Sequence, residues 1–323
     1  MDFKRASELV KNAKTICLAT HIRPDGDAIG SIGAMYHCLK DMGKQVYMLL
    51  PEFGQRFGFM PSINDSVKEI ALDSYDLLIC LDSANRNRIN ISDEDFAKAK
   101  QVLVIDHHME TKVDANEFLI DNEAPANCEI VYCFLKYLNA PITAPVANYI
   151  YLGLLTDTGS FNYPRTTSET YKIAAEMLLC GADFANICKR MNDTYTENKM
   201  KLIGQVIQNT ESYVGGKLRI ASISRDYVKE LNATEDDLDG MVNYVRAVEG
   251  TIVAIYMRPI SDVEYKVSIR TETPVDANEL AKRFNGGGHV RAAGFETTDI
   301  EKTKKEIIQI VERLLESEDN RNT

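Results

Sequence analysis

The sequence is short of several things, and each shortage closes a class. No apolar run approaches the ~20 residues needed to cross a bilayer as a helix. The opening segment, MDFKRASELVKNAKTI, has the pattern of an amphipathic helix and lacks the apolar core of a signal peptide. The expectation is a cytoplasmic protein with no membrane partner. Cysteine is present seven times, an odd number, with no C-x-x-C pair. Structural zinc and a disulfide framework therefore have little support, and the cysteines read as small buried hydrophobes in a reducing compartment. Excess positive charge is missing too. With 37 basic against 48 acidic side chains the formal net charge is −11, a poor balance for a protein that holds long duplex nucleic acid. A short phosphate substrate, held by metals and a few local cations, stays open. There is no internal repeat and no low-complexity segment.

What is present is ordinary globular material. The 323 residues are 45% hydrophobic and 26% charged, enough for two domains with real cores. The first part carries nearly continuous apolar runs at 15–20, 45–50, 75–81 and 101–105, which suits strands buried on both faces. A helical pattern at 28–42, stopped by Gly43, separates the first two. Strand–helix alternation of this kind predicts an α/β fold with a doubly wound parallel sheet. Helical spacing continues over 129–138, 145–156, 168–179 and 197–213. The remainder predicts strands at 217–222, 251–258 and 263–270 and helices at 235–248, 277–284 and 300–316, a smaller α/β domain, with a frayed tail from Ser317. The expected division is a domain over 1–190, a helical linker over 191–214 and a second domain over 215–323.

Chemistry-bearing residues gather where the apolar runs end. His21, Asp25 and Asp27 follow the first run in the turn sequence H-I-R-P-D-G-D. Asp82 follows the third, and Asp106, His107 and His108 follow the fourth. Asp157 lies at the end of a helical pattern in T-D-T-G-S-F. In open parallel sheets the ligand crevice lies at the carboxyl ends of the strands. Taken singly, each of these groups reads as a turn or a cap; three strand ends carrying carboxylate or imidazole together do not. Clustered carboxylates repel and raise one another's pKa unless cations stand between them. Mixed carboxylate and imidazole donors suit Mn²⁺, and this many donors suit two ions, which ~3.5–4 Å apart can clamp an in-line phosphoryl displacement. In the second domain, G-G-G-H-V-R-A-A-G at 286–294 offers backbone N–H groups for a phosphate, and the small residues after His289 suit a helix N-terminus.

These elements, in this order and over essentially the whole chain, resemble the DHH phosphoesterases that carry a DHH-associated C-terminal domain. The resemblance implies a parallel-sheet DHH domain, a smaller α/β DHH-associated domain and an active site in the cleft between them. It implies two Mn²⁺ ions, with Mg²⁺ or Co²⁺ as substitutes. One would be held by His21, Asp25 and Asp82, the other by Asp27, Asp82, His107 and Asp157, with Asp82 bridging. Asp106 would be a ligand or orient one, and His108 would contact the scissile phosphate or assist the leaving group. Gly287, Gly288 and His289 would bind substrate together with Arg270, with Arg258 and Arg291 as weaker candidates. Within the family, the short chain is similar to the small bacterial nanoRNases. That implies two-metal activation of water, cleavage of very short RNA and linear dinucleotides such as pApA to 5′-mononucleotides, and conversion of 3′-phosphoadenosine 5′-phosphate (pAp) to AMP. A homodimer would match the family. The competing activities are a polyphosphatase or pyrophosphatase, and a cyclic-dinucleotide phosphodiesterase.

Overall fold

The computed structural model describes residues 1–108 and 112–319. The chain divides into two compact units, Met1–Thr194 and Tyr195–Thr323.

The first unit runs α1 (Lys4–Asn12), β1 (Thr15–Ala19), α2 (Gly26–Asp41), β2 (Gln45–Leu49), β3 (Leu77–Leu81), α3 (Asp93–Ala97), β4 (Val102–Asp106), β5 (Glu117–Ile120), α4 (Asn127–Tyr137), α5 (Ala144–Asp157), α6 (Ser168–Leu179) and α7 (Phe184–Cys188). Among the described residues its strands form one parallel sheet in the order β2-β1-β3-β4-β5. Every residue of β3 and β4 is buried, because both faces are covered. Ile16, Leu18, Ile79 and Leu103 join one core with α2, α4 and α5, while Cys17, Ala19, Cys80 and Val104 join a second core on the other face. The strand order turns back on itself between β1 and β3. Their outgoing chains part there and leave a crevice at the carboxyl edge.

Cys17, Cys38, Cys80 and Cys128 are buried as the sequence predicts, but Cys133 is exposed and Cys180 and Cys188 are half-buried. Cys133 lies on α4, while Cys180 follows the end of α6 and Cys188 ends α7, and these two pack against the core only in part. The strand β5 was not expected. Its alternation is broken by the exposed Phe118, a sign of an edge strand with one weakly covered face.

The second unit runs α8 (Glu197–Gln208), β6 (Glu211–Tyr213), β7 (Leu218–Ser222), α9 (Arg225–Glu230), α10 (Glu235–Leu238), α11 (Val242–Arg246), β8 (Val253–Pro259), β9 (Tyr265–Thr271), α12 (Ala277–Lys282), β10 (Gly287–His289), β11 (Ala292–Thr297) and α13 (Ile300–Asp319). Its mixed sheet has the order β10-β11-β9-β8-β7-β6, and among the described residues only β7 and β8 pair in parallel. Five expectations change here. The helix drawn within a linker over 191–214 belongs to the second unit, because Leu202, Ile203 and Val206 are buried against Ala221, Met241 and Val242. That helix also stops at Gln208, and Glu211–Tyr213 pairs with β7. The helix expected over 235–248 breaks in two around Gly240, whose φ of +77° is left-handed. The residues after His289 form a hairpin strand, not a helix start. The tail expected to fray from Ser317 is helical through Asp319, and its last residues, 320–323, lie outside the described residues.

Candidate metal centre

The turn after β1 is built by its own side chains. Asp25 caps α2, and one carboxylate oxygen accepts from the N–H groups of Asp27 and Ala28 at 3.1 Å each. His21 bridges Ile89 and donates its Nδ1–H to the Ile22 carbonyl at 2.9 Å. A carbonyl only accepts, so Nδ1 carries a proton and Nε2 is the ring nitrogen left for the crevice. His107, just past β4, repeats the device with the Ala124 carbonyl at 3.1 Å. Asp27 lies in the first turn of α2. Its two oxygens accept the backbone N–H groups of Asn127, at 2.5 Å, and Cys128, at 2.9 Å, at the start of α4. Gly153 makes room for it, since a Cβ there would meet the Asp27 Oδ1 at 2.6 Å.

Asp82 follows β3 with φ +58°, a conformation that non-glycine residues hold at a cost. It is 2% exposed. Its Oδ2 lies 3.5 Å from His21 Nε2, and its Oδ1 lies 3.5 Å from His107 Nε2 and from His108 Nδ1. Asp27 Oδ2 and Asp157 Oδ2 lie 3.9 and 3.6 Å from the same His107 nitrogen, and Asp25 lies 3.9 Å from His21 Nε2. These distances are too long for hydrogen bonds and suit neighbouring donors around a cation. The donor atoms form three overlapping groups: His21, Asp25 and Asp82; Asp27, His107 and Asp157; and Asp82, His107 and His108. The turn after β1 thus deals its residues to two groups, His21 and Asp25 to one and Asp27 to the other.

Electrostatics point the same way. Burial works against charge on His21 and His107, yet Asp25 and Asp82 around the first push it up to about 10, and Asp27, Asp82 and Asp157 push the second up to about 9. Burial and then the neighbouring carboxylates raise Asp82, and burial foremost raises Asp27. Asp157 is pushed up to about 7 by burial and by Asp27. It also stands at the carboxyl end of α5, where the helix dipole disfavours an anion. The turn beyond it is strained, with Gly159, Ser160 and Phe161 all at positive φ. The Oδ1 of Asp82, buried, has no hydrogen-bond partner among the described residues. Carboxylates held together, two imidazoles whose Nε2 atoms lie among them and an orphaned buried oxygen are what divalent cations would satisfy, so the residues present fit a metal centre.

Asp106 ends β4 fully buried and accepts from the His108 backbone N–H at 3.1 Å and pairs with His108 Nδ1 at 2.8 Å. Burial alone would raise its pKa; the His108 bond wins and lowers it. Asp106 is absent from the three donor groups found among the described residues and pairs with His108.

In the second unit, His289 and Arg270 face Ala292 from opposite sides in register, on β10 and β9, which puts both side chains on one face of the sheet. His289 is exposed and Arg270 half-buried. Gly286 and Gly288 are required by packing, since a Cβ would meet the Gly294 carbonyl at 2.3 Å and the Ala292 carbonyl at 2.5 Å. Gly287 is different: a Cβ there meets nothing closer than Asn278 Oδ1 at 3.8 Å. Arg258 departs from the expectation of a substrate contact. It is 5% exposed and its two terminal nitrogens donate to Glu235 at 3.1 and 2.6 Å, so it closes an internal ion pair. Arg291 is exposed and donates to the Val275 carbonyl and to Thr273, which ties down a loop.

Asn127, Cys128, Ala124 and Arg165 were not foreseen. Arg165 donates to the carbonyls of Asn122 and of Ala124, the second being the acceptor for His107. Three of the four act through backbone atoms, which any residue type supplies, and so leave no signal in a sequence.

Family models for "DHH family, N-terminal domain" and "DHHA1 domain" match residues 15–154 and 201–317. The chain is 32% identical over 305 residues to the bifunctional oligoribonuclease and PAP phosphatase NrnA of Thermus thermophilus, covering 94% of this chain and 88% of that one. It is 28% identical to the protein of the same name from Bacillus subtilis, covering 87% and 88%. Among solved structures, an exopolyphosphatase-related protein from Bacteroides fragilis superposes with a TM-score of 0.90 at 26% identity over 97% of both chains.

Proposed function

The chain belongs to the DHH family of phosphoesterases, its DHH domain followed by a DHHA1 domain, and we propose that it hydrolyses very short oligoribonucleotides to 5′-mononucleotides and pAp to AMP. The observation that carries the chemical half is Asp82, buried, strained and with one oxygen unpartnered between His21 on one side and His107 on the other. The substrate half draws on the relatives named as oligoribonucleases and PAP phosphatases.

Two Mn²⁺ ions are the cations we assign, with Mg²⁺ or Co²⁺ as substitutes. His21, Asp25 and Asp82 would hold one, and Asp27, Asp82, His107 and Asp157 the other. When bound, such ions neutralise charge on the scissile phosphate and lower the pKa of water. The backbone N–H groups of Asn127 and Cys128 fix Asp27, and the Ile22 and Ala124 carbonyls fix the two imidazoles, so the donors need little rearrangement. In the hydrolysis, the oxygen of water bonds to phosphorus, the P–O3′ bond breaks and the 3′ oxygen takes a proton. His108, held at Nδ1 by Asp106, keeps Nε2 for that proton or for the phosphate. Arg270, Gly287, Gly288 and His289 would bind the substrate away from the scissile bond, with Arg291 in a minor part.

The test is turnover of pAp, pApA, a short RNA, a long RNA and pyrophosphate with Mn²⁺, against Asp82→Ala. Cleavage of pAp, pApA and the short RNA with little action on the long one is the expected result. Turnover of pyrophosphate or polyphosphate alone would replace the nucleic-acid reading with the second one, which the likeness to an exopolyphosphatase-related structure favours. Turnover of cyclic dinucleotides in preference to linear ones would point to the phosphodiesterase reading.

A further inference from the structure

Two arginines lie next to candidate ligands, one in the chain and one across a β-bridge, and the fold leaves their guanidinium groups unused. Arg23 lies between the ligands His21 and Asp25, with φ +55°, the left-handed region that non-glycine residues rarely occupy. Arg88 is brought to the same place by chain pairing. The Ile22 N–H donates to the Arg88 carbonyl at 2.7 Å, and His21 bridges Ile89. Both arginines are exposed, and among the described residues neither guanidinium has a hydrogen-bond or ion-pair partner. Arg86, two residues away, shows what a structural arginine in this loop looks like. It donates to Asp93 at 2.5 Å and to the Ile91 carbonyl at 3.2 Å, and it lies 4.6 Å over the Phe96 ring.

An unpaired cation one residue removed from two metal ligands opposes cation binding. Its place there makes sense toward an anion. The metals would take the charge of the scissile phosphate, and in a chain of net charge −11 any second phosphate needs its own cations. The proposed substrates share one feature. In pAp and in pApA the P–O3′ bond that breaks belongs to a nucleoside that also carries a 5′-phosphate. Guanidinium groups match phosphate oxygens two at a time.

We infer that Arg23 and Arg88 form a clamp for the 5′-phosphate of the nucleoside whose 3′-phosphate is cleaved, and so select 5′-phosphorylated substrates. The inference rests on the phosphoesterase reading for the position of the scissile phosphate.

The experiment compares kcat/KM for pAp with that for 3′-AMP, which lacks the 5′-phosphate, in the wild type, Arg23→Gln, Arg88→Gln and the two lysine variants, all with Mn²⁺. The pAp to 3′-AMP ratio is expected to fall about tenfold or more in each glutamine variant and less in the lysine variants, as loss of a charge-assisted pair predicts. An unchanged ratio overturns the clamp. Calorimetric titration of 5′-AMP against adenosine, under the same metal, reads the clamp without any turnover. 5′-AMP should bind about tenfold more weakly to the glutamine variants, and equal binding to wild type and variants overturns the inference. If the wild type cleaves neither substrate, the proposed activity fails separately, and the titration still decides the clamp. Should a glutamine variant fail to fold, its lysine partner carries the same comparison. Arg5→Ala, on α1 and paired with Glu117, is the control that should leave both readouts where they are.

Discussion

The two units place chemistry on a sheet in opposite ways. In the first, His21, Asp27, Asp82, Asp106 and His107 are buried around the carboxyl ends of parallel strands, with Asp25 exposed and His108 and Asp157 half-buried beside them, and the positions are over-determined by backbone hydrogen bonds and by strain at Asp82. In the second, they lie on an exposed antiparallel hairpin whose shape is set by the glycines around them. Burial makes charge expensive, so the first unit can hold its carboxylates together only by leaving them in need of cations. The hairpin carries no such demand and suits binding that can be tuned without disturbing the core.

The strongest way to break this comparison is Asp82→Ala. Turnover should fall at least about a thousandfold, because this one carboxylate belongs to two of the three donor groups and lies beside His107 of the third. Residual activity near wild type would end the view of Asp82 as a shared ligand.

Next comes pH. Asp157 titrates higher in the fold than in the unfolded chain, so its contribution to stability is full below about 4 and is lost as pH rises through about 7. His21 and His107, raised to about 10 and about 9, lose theirs above about 6.5 and up through those values. The metal-free protein should therefore lose stability from these groups on going from mildly acid to mildly alkaline pH. Added Mn²⁺ should raise the melting temperature more at pH 8 than at pH 5, and binding should release protons. A metal-induced shift independent of pH, by calorimetry and melting, would contradict the assignment.

His289→Ala should raise KM by about tenfold with a smaller change in kcat, since it removes binding away from the reacting bond. A collapse of kcat at constant KM would erase the division of labour between hairpin and metal centre.

The glycines sharpen the same point. Gly288→Ala should cost about 1–3 kcal/mol of stability in denaturant titrations, from φ +150° and the clash with Ala292. Gly287→Ala should be nearly neutral for folding and raise KM. Equal effects at the two positions would show that the hairpin's glycines serve shape alone.

The smallest effect is expected at Arg258→Ala, about 1 kcal/mol of stability, because its partner Glu235 is largely exposed and the pair is screened. A rise in KM larger than that loss would return Arg258 to the substrate.

Much of the donor cluster was legible in advance because most of its residues follow apolar runs directly. A strand that ends in Asp or His delivers that side chain to a sheet edge whatever else the chain does, as at His21, Asp82 and Asp106. The second unit was read less well. The pattern at 197–213 looked helical throughout, yet Glu211–Tyr213 pairs with β7 because a partner strand was there to take it. The run at 286–294 suited a helix start, and pairing of β11 with β10 and β9 made it a hairpin. Arg258 looked like any cation near a strand end until Glu235 was found opposite it.

Composition and order alone therefore determined the α/β class, the apolar strands and the residues that end them, since these depend on local pattern and on period. The tertiary structure decided which donor atoms lie together, that Asp106 pairs with His108 outside those groups, and that Arg258 is taken up by Glu235. Those are questions of distance between residues far apart in the chain, and a linear pattern holds no distances.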